Sequence, residues 1–294
     1  MESRSSPLIG IEGRLPPEIA AKAEGDGVAK AGQDTVTLLV LGVLGGAFIA
    51  FGAIFSTVAL TGAEGALPYG LARVIAGLAF ALGLGLVLLG GAQIFTGDVL
   101  MVMAWASGRL ALPRILRAWA LVWIGNLAGA VGTALLVLLA EHHMNGGGQV
   151  GVVALRTAEA KAALPFGKAV ILGVLCNTLV CLAVWLSLSS RPPAHRLILL
   201  TLPIAAFVAA GFEHAVANMY YISIGLMIKA RAAETFWQAA QLQPTVFSHL
   251  DLAGFARNIA AVTIGNVIGG AVFVAGVYWL LYRRSSMLFG SLRR

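Results

Sequence analysis

The chain has 294 residues, of which 59% are hydrophobic and only 11% are charged, and its mean hydropathy is +0.88. Water-soluble domains carry about 25% charged residues, so this composition excludes a soluble enzyme. The net charge of +7 does not indicate nucleic-acid binding, because the basic residues lie in the termini and between the apolar stretches, without an interleaved aromatic pattern. The composition is that of a helical membrane protein with several spans.

The N-terminal segment, residues 1–34, has no apolar stretch, which excludes a secretory signal peptide. Pro16, Pro17 and Glu18 open an Ala-rich stretch within residues 12–32. Proline is favoured in the first turn of a helix, so this stretch predicts a short cytoplasmic helix near the mouth of a pore. A disordered tail is the alternative.

Four uncharged stretches are long enough to cross a bilayer, since about 20 helical residues span its hydrocarbon core. They are residues 35–63, 118–140, 169–190 and 258–282. We predict that each of them is one transmembrane helix.

Two further apolar regions, residues 74–108 and 197–228, are too long for one straight helix each. As continuous helices they would measure about 52 and 48 Å, against a hydrocarbon core of about 30 Å. Polar or Gly-rich breaks interrupt them at residues 90–98 and 211–214. Non-helical backbone at membrane depth must be buried in protein or line a wet cavity. The sequence therefore predicts six spans, two of them discontinuous, with a pore or binding site where the breaks meet.

The string I-G-N-x-x-G occurs at residues 124–129 and again at residues 264–269. It indicates a duplicated unit of three spans whose second span is broken. Because the number of spans per unit is odd, the second copy is inverted across the membrane. We expect an all-α polytopic membrane protein with an inverted 3+3 repeat, a pore domain at residues 35–282 and a basic tail at residues 283–294.

Lysine and arginine are concentrated in the N-terminal segment, in the loops near residues 109–117 and 191–196, and in the C-terminal tail. The positive-inside rule then predicts that both termini are cytoplasmic. We interpret these basic clusters as solvated loops.

His214 lies where two half-length apolar segments meet, close to the expected bilayer centre. Ionisable residues at this depth are functional by default, although a neutral histidine that only bonds the backbone of the break is an alternative. We expect its neighbour Glu213 to be a buried acceptor for backbone N–H groups.

Three other polar residues are candidates for the same site. Asn177, near the middle of the fourth span, must find a partner for its amide and either orients His214 or makes a plain interhelical hydrogen bond. Thr96, in the first break, offers a hydroxyl to a passing anion or caps the following helix. Lys161 raises the anion concentration at the outer entrance or is a solvated loop lysine.

The two cysteines, Cys176 and Cys181, are five residues apart in an apolar helix. The rise of a helix separates them by about 7.5 Å along its axis, which disfavours a disulfide. They match no metal-binding spacing either. We expect no metal and no cofactor.

Four motifs together resemble the formate/nitrite transporter family. They are Ala-Gln-Ile-Phe-Thr-Gly at residues 92–97, Cys-Asn-Thr-Leu-Val-Cys-Leu-Ala-Val-Trp at 176–185, Gly-Phe-Glu-His-Ala-Val-Ala-Asn-Met at 211–219, and Gly-Asn-Val-Ile-Gly-Gly at 265–270. The resemblance implies an aquaporin-like protomer with its own pore in a homopentamer. It implies that His214 is the central pore histidine, with Asn177 as its partner. Thr96 would then be the hydroxyl of the first break, and Lys161 the lysine of the outer vestibule.

The resemblance also implies two apolar constrictions and two supporting residues. The outer constriction falls on Phe80 and Phe207. The supporting residues are Glu213 and Asn218. The inner constriction falls on four residues, where isoleucine at 94 replaces the more common leucine: Leu84, Ile94, Phe95 and Val180.

These features predict permeation of a small monovalent weak-acid anion, formate first, by a proton-linked channel or transporter in a prokaryotic inner membrane. The expected partners are the anion, protons, the lipid bilayer and further copies of the chain, but no nucleic acid. In this mechanism Lys161 attracts the anion, whose charge stabilises imidazolium at His214; His214 then donates a proton, so that the neutral acid crosses. Bulk water as the proton source, and nitrite or hydrosulfide as the substrate, remain alternatives.

Two other classes of protein fit the sequence less well, and a third remains open. An aquaporin-type channel for neutral solutes would carry Asn-Pro-Ala at the half-helix tips, and the sequence contains no such tripeptide. A membrane enzyme would need paired carboxylates, a histidine pair or a cysteine site, and the spans lack them. A non-transporting membrane scaffold remains the alternative from a different class.

Overall fold

The computed structural model describes residues 13–284, which form helices joined by loops, with no strand among them. The first half contains α1 (Pro16–Ala31), α2 (Thr35–Leu60), α3 (Tyr69–Gly90), α4 (Phe95–Ala106) and α5 (Leu112–Leu139). The second half contains α6 (Gln149–Ala162), α7 (Phe166–Ser189), α8 (Pro193–Ala209), α9 (Ala215–Arg231), α10 (Glu234–Ala240) and α11 (Leu252–Tyr282). Residues Val99–Met101 of α4 form a 3₁₀ turn, and residues Gly269–Gly276 of α11 form a π-helical stretch.

Five of these helices are long and apolar enough to cross a membrane, namely α2, α3, α5, α7 and α11. The four continuous stretches predicted as spans are therefore confirmed as helices. The two overlong regions are interrupted as predicted, because α3 ends at Gly90 and α8 ends at Ala209, before α4 begins at Phe95 and α9 at Ala215. The all-helical membrane fold is thus confirmed.

Local sequence explains where several helices begin. Asp34 and Asp251 precede α2 and α11, and each accepts a hydrogen bond from the backbone N–H three residues later, at 3.0 and 2.6 Å. Pro16 and Pro193 occupy the first turn of α1 and α8, where the missing N–H would have no partner within the helix. The helix predicted within residues 12–32 is confirmed as α1. Residues 1–12 of the predicted N-terminal segment and 285–294 of the predicted tail lie outside the described residues.

The I-G-N-x-x-G strings lie at the two most extensive helix contacts, α2 with α5 and α7 with α11. A Cβ atom at Gly129 would collide with the Val43 carbonyl, and one at Gly269 with the Val174 carbonyl. Glycine at these positions therefore lets the helix backbones approach closely, as in other membrane proteins. The remaining large contacts join α3 to both α2 and α8, α7 to α8, and α9 to both α5 and α6.

Large apolar side chains cover much of the outer surface of the helix bundle. They include Phe51, Phe55, Leu136, Leu139, Ile198, Leu202 and Leu281. Exposed apolar surface of this extent belongs against lipid or another subunit.

Candidate functional site

The two breaks have the same backbone geometry. Gly91 has a φ of +79° after α3, and Gly211 has a φ of +73° after α8, a region that glycine adopts without steric cost. Gln93 N then donates to a carbonyl of α2 at 3.1 Å, and Glu213 N donates to a carbonyl of α7 at 3.3 Å. Each break therefore crosses the first long helix of its own half.

Two asparagines of the repeated string, Asn126 of α5 and Asn266 of α11, hold these breaks. The amide of Asn126 donates to one carbonyl of α2 and one of the break, at 2.7 and 3.0 Å, and its oxygen accepts from the first N–H of α4 at 2.9 Å. The amide of Asn266 donates to one carbonyl of α7 and one of the break, at 2.8 and 3.0 Å, and its oxygen accepts from the first N–H of α9 at 2.9 Å. Both asparagines thus satisfy backbone groups that the breaks leave without helical partners.

Thr96 and His214 meet where α4 and α9 begin. Thr96 Oγ1 lies 2.9 Å from His214 Nε2, and the two residues are 0% and 2% exposed. His214 caps α9, because its Nδ1 accepts from Ala217 N at 3.1 Å. A ring nitrogen that accepts a hydrogen bond carries no proton, so the neutral ring carries its proton on Nε2 and donates it to Thr96 Oγ1. The hydroxyl hydrogen of Thr96 is left for another acceptor.

The capping role considered for Thr96 is wrong. The residue that precedes α4 is Ile94, which makes no side-chain cap. The Thr96 hydroxyl instead contacts the imidazole of His214, which belongs to the second half of the chain.

Asn177 of α7 holds the first break rather than the imidazole. Its amide donates to Thr96 O at 3.1 Å and to Asn266 O at 2.6 Å. Among the described residues it makes no direct hydrogen bond to His214, whereas the alternative, a hydrogen bond between helices, is present. Cys181 Sγ also donates to Thr96 O, at 3.4 Å. Asn177 therefore reaches His214 only through the position of Thr96.

The six residues predicted to form the constrictions are all buried in one apolar cluster with one another. They are Phe80, Leu84, Ile94, Phe95, Val180 and Phe207. The Phe207 ring stacks on the His214 ring with centroids 5.8 Å apart, and the Phe80 ring meets Phe207 edge-on at 5.6 Å. The polar pair of Thr96 and His214 thus lies in apolar surroundings.

Lys161 lies on α6, so its interpretation as a solvated loop lysine is wrong. Its side chain is 15% exposed, and its Nζ contacts Glu213 Oε1 at 2.9 Å. The same nitrogen lies over the Tyr221 ring, 5.4 Å from the centroid. The other Glu213 oxygen accepts from Asn218 Nδ2 at 2.5 Å. The expectation that Glu213 accepts backbone N–H groups is therefore wrong, because its carboxylate compensates Lys161 and bonds an amide side chain.

The sequence profile of the formate/nitrite transporters matches residues 17–280. The chain belongs to the formate/nitrite transporter family. The family resemblance inferred from the four motifs is thereby confirmed.

Individual members of the family are similar over nearly the whole chain. The formate channel FocA of Escherichia coli (strain K12) is 41% identical over 273 residues, 92% of this chain and 95% of that protein. The formate channel FocA of Haemophilus influenzae is 35% identical over 264 residues, 90% of this chain and 92% of that protein. A solved structure of a pentameric formate channel with formate bound has a TM-score of 0.80 at 38% identity, covering 84% of this chain and 97% of that one. The chain is thus a multi-pass inner membrane protein related to channels, and not an enzyme.

A second ion pair, on the α1 side of the first break, was not predicted from the sequence; its carboxylate is buried and its ammonium is partly exposed. Lys30 Nζ of α1 lies 2.7 Å from Asp98 Oδ1 of α4. Lys30 precedes α2 by five residues, and Lys161 precedes α7 by five residues. This shared spacing is the signal that could have identified Lys30. The pair lines a cavity of 220 Å³ that borders the first break.

Glu24 fixes α1 to the rest of the protein. Its fully buried carboxylate accepts from Arg283 Nε at 2.7 Å, Arg109 Nη1 at 2.9 Å and Ser107 Oγ at 3.0 Å. Burial alone would raise the pKa of Glu24, but the hydrogen bonds from Arg283, Arg109 and Ser107 outweigh burial and hold this pKa below its ordinary value. Glu24 therefore stays ionised at neutral pH and keeps α1 docked.

Within residues 13–284, no group of three or more His, Cys, Asp or Glu side chains is arranged to hold a metal ion. Cys176 and Cys181 are both buried and not joined by a disulfide.

Proposed function

We propose that this protein lets a small monovalent weak-acid anion, formate first, cross the inner membrane through a passage inside each protomer. The observation that carries the proposal is the hydrogen bond between Thr96 and His214, made where the two breaks meet among apolar side chains. The formate channels among its relatives support formate as the substrate. The pentameric channel of known structure supports a homopentamer.

We infer six spans in an inverted 3+3 repeat, with α3 and α4 as the second span and α8 and α9 as the fifth. The matching hydrogen bonds of Asn126 and Asn266 support this repeat. The helix contacts also correspond, since α1 packs on α4 and α6 packs on α9. An inverted repeat of broken helices, as in aquaporin-like protomers, places the substrate near the bilayer midplane.

The basic segments support an orientation with both termini in the cytoplasm. Arg109, which follows α4, and Arg283, which follows α11, both bind Glu24 of α1. These segments therefore lie on one side of the protein, and an excess of Lys and Arg marks the cytoplasmic side. Lys161 then faces the outer entrance.

In the outer entrance, Lys161 provides the positive charge that an anion meets first. Its partner Glu213 keeps the entrance neutral at rest, so the ammonium is held in place without an uncompensated buried charge. An arriving anion shares the Lys161 ammonium with Glu213. That contact offsets part of the cost of removing water from the anion.

Beyond the entrance the solute crosses as the neutral acid, because a bare anion between apolar side chains would pay a steep desolvation cost. Protonation of His214 at Nδ1 would break its hydrogen bond from Ala217 N. It would also place a cation at the N-terminus of α9, where the helix dipole is positive. We therefore assign the proton to water instead of His214, which replaces the proton-donating imidazolium expected from the sequence. The Nε2–H of His214 and the hydroxyl of Thr96 bind the passing acid by hydrogen bonds.

Side-by-side flux measurements test this function. Purified protein in proteoliposomes should pass labelled formate faster than nitrite and hydrosulfide, and protein-free liposomes give the background. Faster nitrite or hydrosulfide flux would assign the protein to another substrate of the family. No flux of any of the three above background would favour a non-transporting membrane scaffold.

A further inference from the structure

The α1-side cavity is lined by four charged side chains, which are Asp26, Lys30, Asp98 and Arg196. Three of them have partners of opposite charge. Lys30 pairs with Asp98, and Asp26 pairs with Lys22. Within residues 13–284, the guanidinium of Arg196 has no carboxylate at ion-pairing distance and no hydrogen-bond acceptor. Arg196 is therefore the uncompensated charge of this cavity.

Arg196 was expected in a solvated basic loop, but it lies in the first turn of α8. Its Nε atom is buried and lacks a partner among the protein groups that the structure describes. A cation in the first turn of a helix is repelled by the positive end of the helix dipole. Arg196 thus does not stabilise α8 by its charge, and its position is not explained by local structure.

Two buried acceptors of the same cavity also lack protein partners. Gln93 Oε1 and Asp98 Oδ2 are buried, line the same cavity and accept no hydrogen bond from the described residues. Buried polar groups of this kind are normally satisfied by water or by a ligand. The cavity therefore offers room and unsatisfied polar groups for water or a small ligand beside the break that carries Thr96.

We propose that Arg196 recruits the permeating anion on the cytoplasmic side, a role that rests on the proposed function. A monovalent carboxylate in this cavity is a suitable counter-ion for a guanidinium, which binds carboxylates through two parallel N–H donors. The uncompensated charge raises the anion concentration next to the break. Arg196 thereby sets the affinity for substrate that enters from the cytoplasm, while Lys161 acts on the outer side.

Flux measured separately from each side tests this role. The set comprises the wild type, Arg196→Gln, Arg196→Lys, and Arg191→Gln as a control that removes an exposed charge outside the cavity lining. For formate leaving the cytoplasmic side, Arg196→Gln should raise the half-saturating concentration about threefold to tenfold, the effect of one charge in contact with the anion, at about 4 Å, in a water-filled cavity. In a passive pore at equal pH on both sides, the ratio of maximal rate to half-saturating concentration is the same in both directions. The maximal rate of efflux should therefore rise in proportion, while the kinetics from the outer side stay unchanged.

Two comparisons separate charge from packing. Arg191→Gln should behave as the wild type. Arg196→Lys keeps the charge but not the two parallel N–H donors, so it should lie between the wild type and Arg196→Gln. The wild type and Arg196→Gln should converge in about 1 M salt, where the screening length is about 3 Å. An unchanged Arg196→Gln, an equal shift in Arg191→Gln, or a shift that persists in 1 M salt would each refute the role of Arg196. If Arg196→Gln does not assemble, the salt dependence of the wild type tests the role of Arg196. The half-saturating concentration of the wild type for formate from the cytoplasmic side must then rise with salt, and a constant value would refute the role. A wild type without formate flux from either side would instead refute the proposed function itself.

Discussion

Replacing Thr96 by valine removes a hydroxyl while keeping the shape of the side chain. The lost contact is the 2.9 Å hydrogen bond to His214 Nε2, between residues that are 0% and 2% exposed. The Nε2–H of His214 then has no partner in a buried site, which costs about 1–3 kcal/mol. If that cost falls on the crossing step, formate flux drops about fivefold to 150-fold. Because valine leaves no cavity, the pentamer should still assemble.

The assay is the initial rate of labelled formate uptake into proteoliposomes that contain equal amounts of protein. Thr96→Ser is the matched control, since serine keeps the hydroxyl and should retain most of the flux. Size-exclusion chromatography in detergent reports the assembly of each variant. A Thr96→Val protein that assembles and transports at the wild-type rate would refute the role of the contact between Thr96 and His214.

Three further predictions concern size, pH and the two halves of the chain. Lactate and acetate should permeate more slowly than formate because the passage is narrow and apolar. Phe207→Ala should raise the lactate flux relative to the formate flux. Equal wild-type rates for lactate and formate would contradict the assigned constriction. Formate uptake should rise as the external pH falls from about 8 to about 5, because more of the substrate is protonated. Glu24 has a lowered pKa, so the docking of α1 that it provides is present above the ordinary carboxyl pKa and is lost only in stronger acid. The response to pH should therefore persist in Glu24→Gln, and its loss there would make α1 the sensor. Asn126→Ala and Asn266→Ala each leave at least two backbone groups of a break unpaired, which costs about 2–6 kcal/mol. Both variants should therefore lower the yield of assembled pentamer to a similar extent. A full yield from only one of them would argue against equivalent halves.

The sequence predicted the spans and the breaks because both depend on local composition. A stretch of about 20 apolar residues is read directly as a span, and Gly91 and Gly211 mark the positions where the chain leaves the helix. The helix α6 was not predicted, since its 14 residues carry charges and are too short for a span. Lys161 belongs to this helix, which is why it was wrongly expected in a loop.

Pairings inside the site could not be predicted, because they depend on which helices become neighbours. Nothing near Glu213 in the chain indicates Lys161, which lies 52 residues away. The amide of Asn177 had several possible partners in an apolar helix, and the close approach of α7 to the first break selected Thr96 O. The repeated string contained more information than the sequence analysis used, because it marked Asn126 and Asn266 as the residues that hold both breaks.

The measurement that tests the central claim most directly is the number of protons that enter with formate. Proteoliposomes that enclose a pH-sensitive dye should acidify on addition of formate, by one proton for each labelled formate taken up, after the background of protein-free liposomes is subtracted. Uptake should be independent of the membrane potential, since the crossing species is neutral. Formate uptake that follows the membrane potential without internal acidification would contradict the account, because the bare anion would then be passing the Thr96–His214 site.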